Sequence, residues 1–160
     1  MSVVKSWQKP TDLIVLNKCA DLVDYTHGIV MRKKTVSING EKSKELVFPK
    51  KDWNWFTSQL LSYAIGAYDL IFMANDIQLD ENTTREEYEE RRAMQRKAKR
   101  FLLTLQSRIY YAWRKFGIRE DSVDYWGSLA SEVIDLLIGW QSSDKKRYAS
   151  FRKALEGGES

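Results

Sequence analysis

Proline is almost missing from this chain, and its placement leaves most of the sequence free to form long helices. The two prolines, Pro10 and Pro49, both stand where a helix could begin, and none follows Pro49. Because proline breaks a helix interior but suits its first turn, the remaining sequence permits long uninterrupted helices. At 160 residues, the chain has the length of one domain with a sizeable core.

Apolar residues recur at helical spacing in four segments of the chain. Steps of three, four and seven residues place them on one face of each segment, which predicts four amphipathic helices. Short connections near Asp80 and Arg119 favour antiparallel neighbours. The predicted helices cover residues 12–32, 49–77, 84–117 and about 121–140, and a short basic helix covers 144–155.

Signals at the helix ends complete an all-α pattern. Thr84 and Glu87 have the spacing of a capping box, and Gly117 is a natural helix stop. We therefore expect a single domain, an antiparallel four-helix bundle with its core at about residues 11–141. A short basic C-terminal helix would follow the bundle.

The segment between the first two predicted helices has a different pattern. Residues 35–38 and 46–48 are two short runs of β-branched and apolar residues, separated by a turn at Asn39-Gly40. This dipeptide favours the tight turn of a hairpin. Because an isolated hairpin is only marginally stable, residues 33–48 form either a small hairpin or a flexible loop.

A long basic block follows an acidic stretch, although the formal net charge is only +4. A basic block on an amphipathic helix is typical of proteins that bind a polyanion, most often nucleic acid. The alternative is a solvated helix face that pairs with acidic neighbours. The block contains no acid and ten basic residues, namely Arg91, Arg92, Arg96, Lys97, Lys99, Arg100, Arg108, Arg114, Lys115 and Arg119.

Helical geometry divides this block by face. At about 100° per residue, Ala98 points into the core while Arg96 and Arg100 point almost directly outward. An outward row of cations can meet successive phosphates of a nucleic acid. The predicted nucleic-acid-binding residues, outward and flanking, are Arg92, Arg96, Lys99, Arg100 and Arg114, with Lys145, Lys146 and Arg147 adding to them.

Arg91 is the exception in the basic block, because it falls within about 20° of the core direction. A buried arginine needs a carboxylate or a carbonyl as its partner. We therefore expect Arg91 to have a structural role rather than to bind a ligand.

The second predicted helix has two apolar faces. Beyond the core-facing residues, Leu61, Ile65, Tyr68 and Phe72 form a second apolar face roughly opposite the first. A helix that is apolar on both sides is buried on both sides, which favours a homo-oligomer with these four residues in its interface. A membrane span is the alternative, but Asp69 interrupts an apolar run that is already short of about 20 residues.

The sequence offers few residues for catalysis. His27 is the only histidine and Cys19 the only cysteine, and no glycine-rich phosphate loop is present. Zinc sites need several Cys or His ligands. We therefore expect no enzyme, no cofactor and no metal. The single cysteine and the absence of a signal-peptide pattern favour a cytoplasmic protein.

Three short motifs within residues 11–148 carry a family resemblance. They are Phe48-Pro49-Lys50, Glu87-Tyr88-Glu89-x-Arg91-Arg92-x-x-Gln95 and Gly139-Trp140-x-x-Ser143-Asp144. With these motifs, the chain resembles the bacterial four-helix-bundle family that includes the accessory variability determinant of diversity-generating retroelements. The same broad family includes proteins encoded by intervening sequences of 23S ribosomal RNA genes. Residues 33–44 are an insert relative to that pattern.

The resemblance implies a non-enzymatic accessory protein. Such proteins assemble as a ring, typically a pentamer, and bind a reverse transcriptase together with its template RNA or DNA. Two hypotheses follow. In the first, this chain is a nucleic-acid-binding accessory subunit of a reverse transcriptase. In the second, it is a protein-protein interaction module whose basic face docks an acidic protein without binding nucleic acid directly.

Overall fold

The computed structural model describes residues 13–157 and is mostly helical over that range. The prediction of a mostly helical chain is therefore confirmed, and the first connection forms a hairpin rather than a loop. The expected helix start at Asp12 lies outside the described residues, as do Pro10 and Gly158. The elements are α1 (Ile14–Val30), β1 (Lys33–Ile38), β2 (Glu41–Leu46), α2 (Ser58–Asp76), α3 (Arg85–Phe116) and α4 (Glu120–Gly157).

The hairpin has its turn at the predicted place but a different second strand. Asn39 and Gly40 both have positive φ, 53° and 81°, as a two-residue hairpin turn requires. β2 is Glu41–Leu46, so the prediction of a strand at residues 46–48 is wrong. A two-residue turn forces pairing of the residues next to it, whereas Phe48 is fully buried in the core.

The second helix begins later than predicted. After Pro49 the chain makes a 3₁₀ turn over Lys50–Asp52 and a π-helical turn over Trp53–Thr57 before α2 starts. This path buries Phe56, whose ring centroid lies 5.6 Å from that of Phe116. The apolar spacing alone did not indicate this irregular backbone. It occurs where Phe56 packs against Phe116.

The predicted short C-terminal helix is not a separate element, because α4 continues through it without a break. Residues 141–143 contain neither proline nor glycine, so nothing local ends the helix there. Asp144 and Tyr148, four residues apart on one face, are both buried. Asp144 and Tyr148 contact α3 and the loop between α2 and α3, and these contacts extend α4 beyond its apolar segment.

The core lies between the helices. α1 packs against α2 and α4, and α3 packs against the same two helices. Trp126, the largest fully buried side chain, donates its indole N–H to the hydroxyl of Thr26 over 2.9 Å. In the part of the chain that the structure describes, no helix is long and apolar enough to cross a membrane.

The capping of α3 follows the sequence prediction. The Thr84 hydroxyl accepts from the Glu87 backbone amide over 3.1 Å, and a Glu87 carboxylate oxygen accepts from the Thr84 amide over 3.1 Å. At the other end, Gly117 adopts the left-handed conformation with φ 64° and ends the helix. Both ends of this helix are therefore determined by residues close in sequence.

Gly66 allows α2 and α3 to approach closely, and its replacement by alanine should destabilise the fold. A Cβ atom at this position would lie 2.6 Å from Cε2 of Phe101, closer than van der Waals contact permits. We expect Gly66→Ala to lower the free energy of unfolding by about 1–3 kcal/mol, the usual range for overpacking. Urea denaturation measures the change.

Gly139→Ala is the matched control, because a Cβ atom there meets nothing within 4 Å. Because this position in α4 is exposed and alanine has the better helix propensity, Gly139→Ala should raise the free energy of unfolding by up to about 1 kcal/mol. Equal or greater stability of Gly66→Ala relative to the unmodified protein would contradict the close approach.

Candidate functional site

Arg91 has the buried carboxylate partner that its inward direction predicted. Its Nε donates to Oδ2 of Asp144 over 2.7 Å, and its Nη2 donates to Oδ1 over 3.1 Å. The third donor, Nη1, reaches the carbonyl of Ile77 over 2.7 Å. The two side chains are only 6% and 2% exposed, so this is a buried bidentate ion pair.

Two of the motifs noted in the sequence meet at this ion pair. Gln95, one turn beyond Arg91 in α3, donates its amide to Oδ2 of Asp144 over 2.8 Å. The ring of Trp140, one turn before Asp144 in α4, lies 4.9 Å from the guanidinium carbon of Arg91. Because its charge is neutralised and enclosed, Arg91 is not available to a polyanion on the surface.

A stacked tyrosine pair lies beside this cluster. The rings of Tyr88 and Tyr148 are nearly parallel, with centroids 4.1 Å apart, and both residues are buried. Nη1 of Arg92 donates to the Tyr88 hydroxyl over 3.2 Å, and the Arg152 guanidinium lies 5.9 Å from the Tyr148 ring. Arg92 is therefore half-buried, with part of its donor capacity used inside the protein.

Arg96 and Arg100 are exposed on the outer face of α3, as predicted. Arg114 is exposed on the same side but lies 14 residues further on, about 21 Å along the helix axis. Between them stand Leu103 and Tyr110, which are 47% and 67% exposed. The outer face is therefore basic at both ends, and in its middle the exposed Leu103 and Tyr110 lie on either side of the polar Ser107. The charge pattern alone did not reveal this feature.

Most of the predicted nucleic-acid-binding cations have no ion-pair partner among the described residues. Four side-chain ion pairs occur among residues 13–157, and they involve Lys18, Arg91, Arg119 and Arg147. Within that same range, no carboxylate oxygen lies within 4.0 Å of the remaining predicted cations. These are Arg92, Arg96, Lys99, Arg100, Arg114, Lys145 and Lys146.

The basic residues near the C-terminal end of α4 divide between surface and structure. Lys145 and Lys146 are exposed. Arg147 donates to the carbonyl of Leu79 over 3.0 Å and lies 3.9 Å from Asp144, with its side chain half exposed. It contacts the same carboxylate as Arg91 and is at the Arg92 end of α3, far from Arg114.

The second apolar face of α2 is only partly open. Leu61 and Tyr68 are half-buried because they pack against the core. Ile65 and Phe72 remain 45% and 41% exposed. Ile65 and Tyr68 also line a mainly apolar groove of about 210 Å³ shared with α1, whose Val23 forms part of its wall.

The residues with catalytic potential stand apart from one another. Cys19 is buried, and that burial, with a smaller contribution from Asp69, raises the pKa of its thiol to about 12. The group is therefore a neutral thiol at physiological pH rather than a nucleophilic thiolate. His27 is exposed in the last turn of α1. Within residues 13–157, no group of three or more His, Cys, Asp or Glu side chains is placed to hold a metal ion.

Sequence reasoning predicted that Arg91 needs a partner but did not identify Asp144. The signal was present, because Asp144 ends one of the noted motifs and follows the last apolar residues of its helix at inward-facing spacing. The exposed Leu103 and Tyr110 on the α3 outer face were also missed, although with Ser107 between them they continue the three-four spacing of Arg96 and Arg100. No protein-family model, curated protein or solved structure matches this chain.

Proposed function

We propose that this chain is a non-enzymatic accessory protein that oligomerises and binds nucleic acid together with a reverse transcriptase of a diversity-generating retroelement. The observation that carries nucleic-acid binding is the exposed pair Arg96 and Arg100, which has no carboxylate within 4.0 Å among the described residues. Unneutralised guanidinium groups attract phosphates and release the counterions around them. The proposal that the partner is a reverse transcriptase rests on the family resemblance.

The proposed architecture is an antiparallel four-helix bundle in the cytoplasm. Two contacts between α3 and α4 support the antiparallel direction. Arg91, near the start of α3, pairs with Asp144 late in α4, whereas Gln106 donates to Ser131, earlier in α4, over 2.7 Å. The exposed Ile65 and Phe72 favour assembly of these bundles into a homo-oligomer, with a pentameric ring as the form that the resemblance implies.

In such a ring each subunit repeats the same basic surface. Weak phosphate contacts from several subunits would add on one long nucleic acid, so the ring would bind more tightly than any subunit alone. Contacts to phosphates carry no sequence information by themselves. Binding by the accessory protein alone should therefore be broadly unspecific, and specificity would come from the reverse transcriptase or from the fold of the RNA.

Replacing Arg96 and Arg100 by glutamine should weaken RNA binding and flatten its salt dependence. Each lost contact to a single strand should lower the slope of log Kobs against log salt by about 0.7. The measurement is fluorescence anisotropy of a labelled single-stranded RNA over a range of potassium chloride concentrations. Both residues are exposed, so the melting temperature should change little.

The matched control removes two cations that are already paired. Lys18 lies 3.4 Å from Glu132, and Arg119 donates to Asp121 over 2.9 Å. Lys18→Gln combined with Arg119→Gln changes the net charge by the same amount but should affect RNA affinity much less. Unchanged RNA affinity of the folded Arg96→Gln, Arg100→Gln variant would favour the second candidate function.

That second candidate is a protein-protein interaction module whose basic face docks an acidic protein. The exposed Leu103 and Tyr110 favour it, because apolar and aromatic side chains beside arginine are common in protein interfaces. The Leu103→Gln, Tyr110→Gln variant separates the two candidates. In the second case this variant should lose the acidic protein partner, whereas in the first case it should keep the direct RNA affinity that Arg96 and Arg100 provide.

A further inference from the structure

The pairing register of the β1–β2 hairpin sorts its side chains into two chemically different faces. Residues directly opposite in an antiparallel pair point to the same side, and the side alternates along each strand. Thr35 pairs with Lys44, and Ser37 pairs with Lys42. One face, here called the lysine face, therefore holds Lys33, Thr35, Ser37, Lys42, Lys44 and Leu46. The other face holds Lys34, Val36, Ile38, Glu41, Ser43 and Glu45.

Charge is divided between these faces. Both glutamates of the hairpin are on the second face, where Glu45 stands directly opposite Lys34. The lysine face carries three ammonium groups, two hydroxyl groups and no carboxylate, and all of it except Leu46 is exposed. None of its lysines takes part in an ion pair with another described residue.

The base of the hairpin is anchored to the core. The Val47 amide donates to the carbonyl of Arg32 over 2.9 Å and so extends the pairing toward the helices. Phe48 follows directly, is fully buried, and has its ring centroid 5.1 Å from that of Phe116. An open groove of about 610 Å³ at this base is lined by Lys33, Lys44 and Lys50, and also by Lys34 and Glu45 of the second face. The lysine face is thus held in one place and continues into a basic recess.

The chemistry of the lysine face fits a phosphate backbone. Ammonium and hydroxyl groups both donate to phosphate oxygens. The face has no aromatic side chain on which an unpaired base could stack, and binding of single strands depends on such stacking. Lysines on both strands, Lys33 on β1 and Lys42 and Lys44 on β2, make a charged ribbon two strands wide, and such ribbons fit a duplex groove.

We propose that the lysine face of the hairpin binds the phosphate backbone of double-stranded nucleic acid. This second contact surface rests on the nucleic-acid-binding function proposed above. It is separated from Arg96 and Arg100, because Phe116 at the hairpin end lies 16 residues beyond Arg100, about 24 Å along α3, whereas Arg114 lies at the hairpin end of the helix. A long nucleic acid would therefore meet the protein at both ends of α3.

The test compares Lys42→Gln, Lys44→Gln with Lys18→Gln, Lys34→Gln, which removes equal charge but leaves the lysine face intact. The probe is a DNA duplex of about 20 base pairs, about 68 Å long. Each phosphate contact on duplex DNA contributes about 0.9 to the slope of log Kobs against log salt. The affinity of the first variant should therefore fall about eightfold for each lysine removed, near 0.1 M salt. The second variant should stay close to the unmodified protein, and Lys42→Arg, Lys44→Arg should retain binding.

Several outcomes would overturn the proposal. These are equal losses in the two glutamine variants, an equal loss on a single strand of the same length, or equally good competition by polyglutamate of matched charge. If Lys42→Arg, Lys44→Arg also lost binding, the cause would be a change in hairpin structure rather than the loss of charged contacts, and this result would also count against the proposal. If only Arg96→Gln, Arg100→Gln weakens binding, the hairpin proposal fails while the proposed function stands. If the unmodified protein binds neither duplex nor single strand, both fail.

Discussion

Replacing Asp144 by alanine is expected to lower the free energy of unfolding by about 3–5 kcal/mol, the usual cost of removing one member of a buried ion pair. The Asp144 side chain is 2% exposed and accepts hydrogen bonds from Arg91 and Gln95. Without it, the Arg91 guanidinium stays enclosed with the carbonyl of Ile77 as its remaining hydrogen-bond acceptor. The amide of Gln95 also loses its acceptor, which adds a desolvation cost.

Urea denaturation at one fixed protein concentration measures this effect, and Glu132→Ala is the control. Glu132 also forms an ion pair, 3.4 Å from Lys18, but both side chains are more than two-fifths exposed. Exposed pairs contribute about 0.2–1 kcal/mol, so this variant should change stability little. A loss below about 1 kcal/mol in Asp144→Ala would show that the buried pair is not needed for stability.

A double replacement tests the physical reason behind this expectation. If the cost comes from an isolated buried charge, removing both charges should restore much of the stability. Apolar residues in place of a buried ion pair are often neutral or stabilising. We therefore expect Arg91→Met combined with Asp144→Leu to be more stable than Asp144→Ala, although Gln95 would still lack its acceptor.

Changing Phe72 to glutamate is expected to dissociate the proposed homo-oligomer into monomers while leaving the helical content intact. Phe72 is 41% exposed in a single chain, so a carboxylate there remains solvated in the monomer. In an assembled interface the same charge would be buried without a partner, and the contact area of the ring would be lost. Size-exclusion chromatography with light scattering gives the mass, and circular dichroism gives the helicity.

Met73 supplies a closely matched control for this experiment. It is the next residue in α2, it is 43% exposed, and it projects about 100° away from Phe72 around the helix. Met73→Glu should therefore leave the mass of the assembly unchanged. A monomeric mass for the unmodified protein at micromolar concentration, or equal dissociation by both variants, would contradict an interface on the Phe72 side of α2.

Features decided by neighbours along the chain could be predicted from the sequence. The Thr84–Glu87 capping box and the Gly117 stop form as expected, and the Asn39-Gly40 turn forms in the hairpin, one of the two structures that the sequence left open. Each depends on hydrogen bonds and backbone angles within a few residues. The inward direction of Arg91 could also be predicted, since helical periodicity fixes which residues share a face.

Features decided by contacts across the chain could not be predicted in this way. Asp144, the partner of Arg91, is 53 residues away in sequence, and only the packing of α4 on α3 brings the two together. The same packing continues α4 past residue 140, where apolar spacing alone suggested a break. The half-burial of Leu61 and Tyr68 likewise follows from how α2 sits in the core.

The sequence by itself therefore determined the four helical segments, both ends of α3 and the outward direction of Arg96 and Arg100, because 3.6-residue periodicity and short-range hydrogen bonds need no distant partner. The tertiary structure decided which charges are neutralised and which remain free. It also placed Lys33 of β1 on the same hairpin face as Lys42 and Lys44 of β2, whereas Lys34 shares the other face with both glutamates. Those properties depend on distances between segments, and side-chain pairing across segments is set only when the helices and strands pack.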